Sequence, residues 1–148
     1  MGAPAVARIV IPSDPLAVRD GLRALFDTLL LRSLPEDHRG TAEIVLAEAL
    51  NNIVEHAYAR DQGEIELTLM LNGTGLVCRI IDSGVPMPGK VLPTGVLPAP
   101  PDAAVPDALA EGGFGWHLIR TLSRDLAYDR VGGQNLLSFR LEAGQYPR

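Results

Sequence analysis

Residues 64–82, EIELTLMLNGTGLVCRIID, are the stretch on which the class of fold turns. Ile65, Leu67, Leu69 and Leu71 alternate with Glu64, Glu66 and Thr68, the period of a half-buried strand. A second apolar run, Leu76–Ile81, follows within a few residues. Asn72-Gly73-Thr74-Gly75 lies between them, and Asn and Gly tolerate positive φ, so the two strands read as a hairpin. A strand that alternates this cleanly buries one face only. It implies a sheet with helices on one side.

Working outward, residues 5–11 read as a short strand. Ser13-Asp14-Pro15 marks a helix start, with Ser13 or Asp14 as the N-cap and Pro15 just inside. Leu22, Leu25, Phe26 and Leu29 carry that helix to about Ser33. Pro35 begins a longer helix that runs to about Ala59, where Asp61-Gln62-Gly63 stops it. On the other side, residues 83–112 hold seven of the twelve prolines and keep no period. A loop of that length in a compact domain is usually a lid or a binding loop. A glycine-opened helix at 113–123 follows, then strands at 125–129 and 136–142 joined by a loop at 131–135. The order β-α-α-β-β-loop-α-β-β predicts an α+β fold: a two-layer sandwich, its sheet antiparallel or mixed, its helices on one face. Residues 1–148 are expected to form a single domain.

Composition narrows the function. The chain has 148 residues, 47% hydrophobic and 21% charged, with a net charge of −5. That is enough apolar material for a core and too little charge for disorder. No run of five or more basic residues occurs, which argues against nucleic acid as a partner. Cys78 is the single cysteine, so there is no internal disulfide and no zinc-type cluster. No signal peptide or 18-residue apolar span is evident; a soluble, cytoplasmic protein with no membrane association is expected.

Three motifs carry chemistry. Glu48, Asn52 and His56 fall four residues apart on the long helix and drift only about 40° per step, so they form one polar stripe. Leu46, Leu50, Ile53 and Ala57 form the apolar stripe nearly opposite. Asn is a poor helix former, so Asn51-Asn52 in mid-helix suggests a use other than local stability. Carboxylate and amide oxygens suit magnesium. Next, the apolar strand ends in Asp82-Ser83-Gly84, where a carboxylate facing a loop can accept from an exocyclic amine and a glycine admits close backbone approach. Last, Glu111-Gly112-Gly113-Phe114-Gly115-Trp116-His117 opens a helix, whose free N–H groups and partial positive charge bind phosphate.

In this order the motifs resemble those of the GHKL ATPase superfamily, whose ATP site is the Bergerat fold, and within it the anti-sigma-factor serine/threonine kinases. Glu48 to Tyr58 resembles the N box, Asp82 to Pro86 the first glycine box, and Glu111 to Ile119 the second. The resemblance implies an ATP- and Mg2+-dependent kinase acting on a Ser or Thr of a small antagonist protein. A sigma factor or other regulatory protein would be a further partner, and homodimerisation is common among such proteins. By the same resemblance Asn52 would ligate magnesium and Glu48 would act as general base or orient the nucleophile. Asp82 would bind the adenine amine, with Gly84 shaping that pocket. Gly113, Phe114 and Gly115 would form the turn at the phosphates, and residues 85–111 the ATP lid. Trp116 and Leu118 read as core; His56 reads as a support of the helix or as a ligand. The chain departs from the pattern in three places. Gln134-Asn135 stands where relatives often carry Gly-Thr, Lys90 is the lid's one basic residue, and Glu111 replaces a basic residue of some relatives. Arg120 or Arg124 could compensate. These departures leave a second reading open, a non-catalytic module whose protein binding is gated by ATP.

Overall fold

The computed structural model describes residues 5–93 and 114–144. Five strands, β1 (Ala5–Pro12), β2 (Glu64–Asn72), β3 (Gly75–Asp82), β4 (Arg124–Val131) and β5 (Gln134–Leu141), form one sheet in the order β1-β2-β3-β5-β4. Every pairing is antiparallel. The helices are α1 (Pro15–Phe26), α2 (Leu29–Arg32), α3 (Glu36–Asn52) and α4 (Phe114–Leu122). The α+β architecture read from the hairpins is the one observed, and the sheet is wholly antiparallel.

Alternation decides which face is covered. Ile65, Leu67, Leu69 and Leu71 are buried, as are Leu76, Cys78 and Ile80 on β3 and Leu137, Phe139 and Leu141 on β5. These side chains meet Val18, Leu22 and Leu25 of α1, Val45, Leu46, Ala49 and Leu50 of α3, and Ile119 of α4 in one core. Each leucine or isoleucine withdrawn from water this way contributes about 1.5–3 kcal/mol. The opposite face keeps Arg8, Val10, Arg79 and Leu136 exposed.

Several boundaries differ from the sequence reading, each for a local reason. The first helix breaks at Asp27-Thr28. The Thr28 hydroxyl donates to Leu25 O (2.6 Å), a side-chain bond that competes with the helical ladder, and α2 is a separate single turn. The N-cap of α1 is Asp14, whose carboxylate accepts from Ala17 N at 3.0 Å. The long helix is regular only to Asn52 and continues as a π turn over Ile53–Ala57. The final loop shrinks to a two-residue turn, because Gly132 (φ 57°) and Gly133 (φ 78°) both take the left-handed conformation that a tight hairpin needs. The flanking strands are longer than expected in consequence, and Asn135 sits inside the ladder. Residues 94–111, most of the predicted lid, lie outside the described residues.

Candidate functional site

The polar stripe of α3 borders an open cavity of about 650 Å³ at one end of the sheet. Glu48 and Asn52 line it, together with Asp82 from β3, Gly115 and Trp116 from α4, and Tyr128 and Asn135 from the last hairpin. A Cβ built on Gly115 would lie 2.6 Å from Glu48 Oε2 and 3.5 Å from Asn52 Nδ2. The bare Gly115 lets the first turn of α4 lie against the stripe without displacing the Glu48 carboxylate. Asn52 Nδ2 is buried and has no hydrogen-bond partner among the described residues. Such an atom usually costs about 1–3 kcal/mol when left unpaired, so a mid-helix asparagine in this state points to a use in the cavity.

Beyond Asn52 the helix widens. In the π turn the Tyr58 amide donates to Ile53 O at 3.1 Å, one residue further back than in an α-helix. The Tyr58 hydroxyl then accepts from Ser83 N (2.7 Å) and donates to Glu64 O (2.8 Å). Val85 N donates to Ala57 O at 2.9 Å. Gly84 is the contact point: a Cβ there would fall 2.3 Å from Ala57 O. The two backbones touch only because that position is bare. Gly84 itself is absent from the cavity wall and shapes it from behind.

Asp82 and Asn135 are directly opposed across β3 and β5. They are the two buried polar residues among those described, 3% and 5% exposed. Asn135 Nδ2 donates to Asp82 Oδ1 at 2.8 Å, and Gly84 N donates to the same oxygen at 2.9 Å. No described donor reaches Oδ2. Burial pushes the Asp82 carboxyl above the usual carboxylate range, against the hydrogen bonds from Asn135 and Gly84 and the charge of Arg130.

Of the residues expected from sequence, Glu48, Asn52, Asp82 and Gly115 therefore share one cavity. Phe114 opens α4; Gly113 falls outside the described residues. His56 lies on the cavity rim, exposed. Trp116 is core, as read, and also reaches the wall. Arg120 donates to Pro93 O (2.9 Å) and Arg124 pairs with Glu142 (3.5 Å); neither they nor Lys90 are among the lining residues. Three carboxylates (Glu48, Glu55 and Asp82) are in the described wall, which holds no lysine or arginine. Asn135, Tyr128 and Tyr58 were not expected. A signal for Asn135 was available: it occupies an inward position in the alternation Asn135, Leu137, Phe139, Leu141, where an apolar residue would be usual.

With this geometry in view, the match to known proteins is informative. A model of the histidine kinase-like ATPase domain matches residues 11–141. This chain belongs to the histidine kinase-like ATPase family. Its α+β sheet and the likeness to GHKL serine/threonine kinases drawn from the three motifs agree with that membership. A protein named serine-protein kinase RsbW from Bacillus mycoides (strain KBAB4) is 35% identical over 95 residues, covering 64% of this chain and 59% of that protein. Its namesake from Bacillus cereus (strain AH820) is 35% identical over 96 residues, with the same coverage. The match thus spans less than two thirds of these relatives. Among the described residues of this ATPase-family chain, no helix is long and apolar enough to cross a membrane.

Proposed function

We propose that the chain is an ATP- and Mg2+-dependent serine/threonine protein kinase. Its substrate would be a small antagonist protein in a cytoplasmic partner-switching system, with a sigma factor or similar regulator as a further partner. One observation carries this reading: the half-buried Glu48 and Asn52, the buried Asp82 and the start of α4 border a single cavity of about 650 Å³, large enough for a nucleotide. The relatives named serine-protein kinases support the reaction class.

The residues fit magnesium. Among those described, no group of three or more His, Cys, Asp or Glu could hold a metal by itself. Magnesium does not need one; it commonly takes one or two protein oxygens and completes its shell with phosphates and water. Asn52 would offer its amide oxygen, with Glu48 one turn away. Bound there, the ion would neutralise charge on a triphosphate that three wall carboxylates otherwise repel.

The chain's own groups would then do the following. Asp82 Oδ2 accepts from the adenine amine, and the bare backbone at Gly84 keeps that pocket open. The N–H groups at the start of α4 face the phosphates, where helix dipole and free donors favour anions. By the family resemblance, residues 85–111 would cover the nucleotide as a lid. Glu48 takes the proton of the incoming Ser or Thr hydroxyl as its oxygen attacks the γ-phosphorus and ADP leaves. The test is transfer of label from γ-labelled ATP to candidate antagonist proteins, with Glu48→Gln as control. Label transfer that persists in the variant refutes the role of Glu48.

The second reading is an ATP-gated binding module without catalysis. The lack of lysine and arginine in the described wall favours it, because phosphoryl transfer commonly uses such a cation on the developing charge. The two separate cleanly: Glu48→Gln leaves nucleotide-dependent capture of a partner intact in a module and abolishes turnover in a kinase.

A further inference from the structure

Asn135 is the hub of a network that the nucleotide reading does not yet use. Its Nδ2 donates to Asp82 Oδ1 and to Val85 O, both at 2.8 Å. Its Oδ1 accepts from the Tyr128 hydroxyl (2.5 Å) and from Arg130 Nη1 (3.1 Å). Both ends of the amide are thereby engaged, two acceptors at one and two donors at the other. Reversing it would set donor against donor and acceptor against acceptor. The same partners tie down the chain after β3. Arg130 Nη1 also donates to Gly84 O (2.6 Å), and the Tyr128 hydroxyl accepts from Met87 N (3.0 Å). Asp82 and the backbone of residues 84–87 are thus held to the last hairpin by Asn135, Tyr128 and Arg130 together.

We propose that Asn135 is a positioning and specificity residue for the nucleotide base. It occupies Asp82 Oδ1, so that Oδ2 alone is left to face the ligand as a fixed acceptor, and this selects adenine over hypoxanthine. The assignment rests on the nucleotide reading above and deepens it. A fixed carboxylate accepts from the 6-amino group of adenine and repels the 6-carbonyl of hypoxanthine. A carboxyl free to rotate or to take up a proton could donate to that carbonyl and would lose the distinction. Burial already pushes Asp82 towards the protonated form, and the Asn135 amide is the first of the contacts that oppose it.

The experiment is calorimetric titration of the full chain with ATP and with inosine triphosphate, both with magnesium. Asn135→Thr and Asn135→Val are compared, because they share a shape and differ in one hydroxyl. The wild type is expected to prefer ATP by about tenfold or more, the discrimination of one hydrogen bond to a charged group. Asn135→Thr should retain most of that preference and Asn135→Val should lose it. Equal preference in Asn135→Val and wild type overturns the assignment. If neither variant folds, Tyr128→Phe decides: it removes one donor to Asn135 and should lower the preference several-fold, and an unchanged ratio overturns the assignment. A wild type that binds both nucleotides equally overturns it while leaving a nucleotide site in place. A wild type that binds neither removes the nucleotide reading and this assignment together.

Discussion

Replacing Asp82 by Asn separates what the fold needs from what the ligand needs. Asp82 Oδ1 accepts from Asn135 Nδ2 (2.8 Å) and Gly84 N (2.9 Å). An asparagine can keep an acceptor oxygen in that place, so the scaffold bonds survive. The change falls on the other oxygen, where an NH2 now stands and no described donor stood before. Loss of one charge-assisted hydrogen bond costs about 1.5–3 kcal/mol, or roughly 10- to 150-fold in ATP affinity. The NH2 in that position should also donate to the 6-carbonyl oxygen of inosine triphosphate and reverse the order of the two nucleotides. Stability should move the other way. Burial raises the Asp82 carboxyl in the folded protein, so the folded state holds its proton more tightly than the unfolded chain does. That stabilisation is complete below the ordinary carboxylate range and is lost as pH rises through the raised value. Once ionised, the buried group is a burden that asparagine removes. The variant should melt no lower than wild type at pH 7 and lose the part of the pH dependence that lies just above the ordinary carboxylate range. Calorimetry with both nucleotides, and thermal melts from pH 4 to pH 8, test the two halves. ATP affinity within about twofold of wild type would refute the reasoning on the ligand. A lower melting temperature at pH 7 would refute the reasoning on burial.

Asn52→Ala should abolish magnesium-dependent ATP binding, read as equal affinities with the ion and with a chelator; a surviving magnesium dependence refutes the metal role. Gly84→Ala drives a methyl group to 2.3 Å from Ala57 O, a backbone atom that cannot step aside. A loss of about 1–3 kcal/mol is expected in chemical denaturation, and an unchanged midpoint refutes the close contact. Gly115→Ala meets instead the far end of a flexible side chain, Glu48 Oε2 at 2.6 Å. Its melting temperature should stay near wild type while label transfer falls, and normal transfer would dissociate Glu48 from the chemistry.

The fold was largely legible because its signals are local. The alternation Ile65, Leu67, Leu69, Leu71 names the covered face, and all four are buried as read. Four-residue spacing placed Glu48 and Asn52 together on the cavity side of α3. What escaped depends on distant residues or on competition within a turn. The break between α1 and α2 was hidden by the apolar run Leu29-Leu30-Leu31, which continues a helical period, while the Thr28 hydroxyl bonds Leu25 O instead. The π turn has no pattern of its own; Tyr58 is held by Ser83, 25 residues on. Asn135 lies 53 residues from Asp82, and only strand register brings them opposite one another. β3 and β5 are neighbours in the sheet but not consecutive in the chain, so no turn between them announces that register.

The widened helix end has an implication for insertions and deletions. Between Asn52 and Tyr58 the chain carries one residue more than an α-helix would use to span the same rise. Deleting a single residue there, such as exposed His56, would restore ordinary winding and leave Tyr58 close to its present phase, its hydroxyl still near Ser83 and Glu64. A second deletion, or an insertion, would swing Tyr58 round by about 100° and take the hydroxyl from both, although no side chain that touches them had been altered. This segment should therefore tolerate the loss of one residue far better than any other change of length.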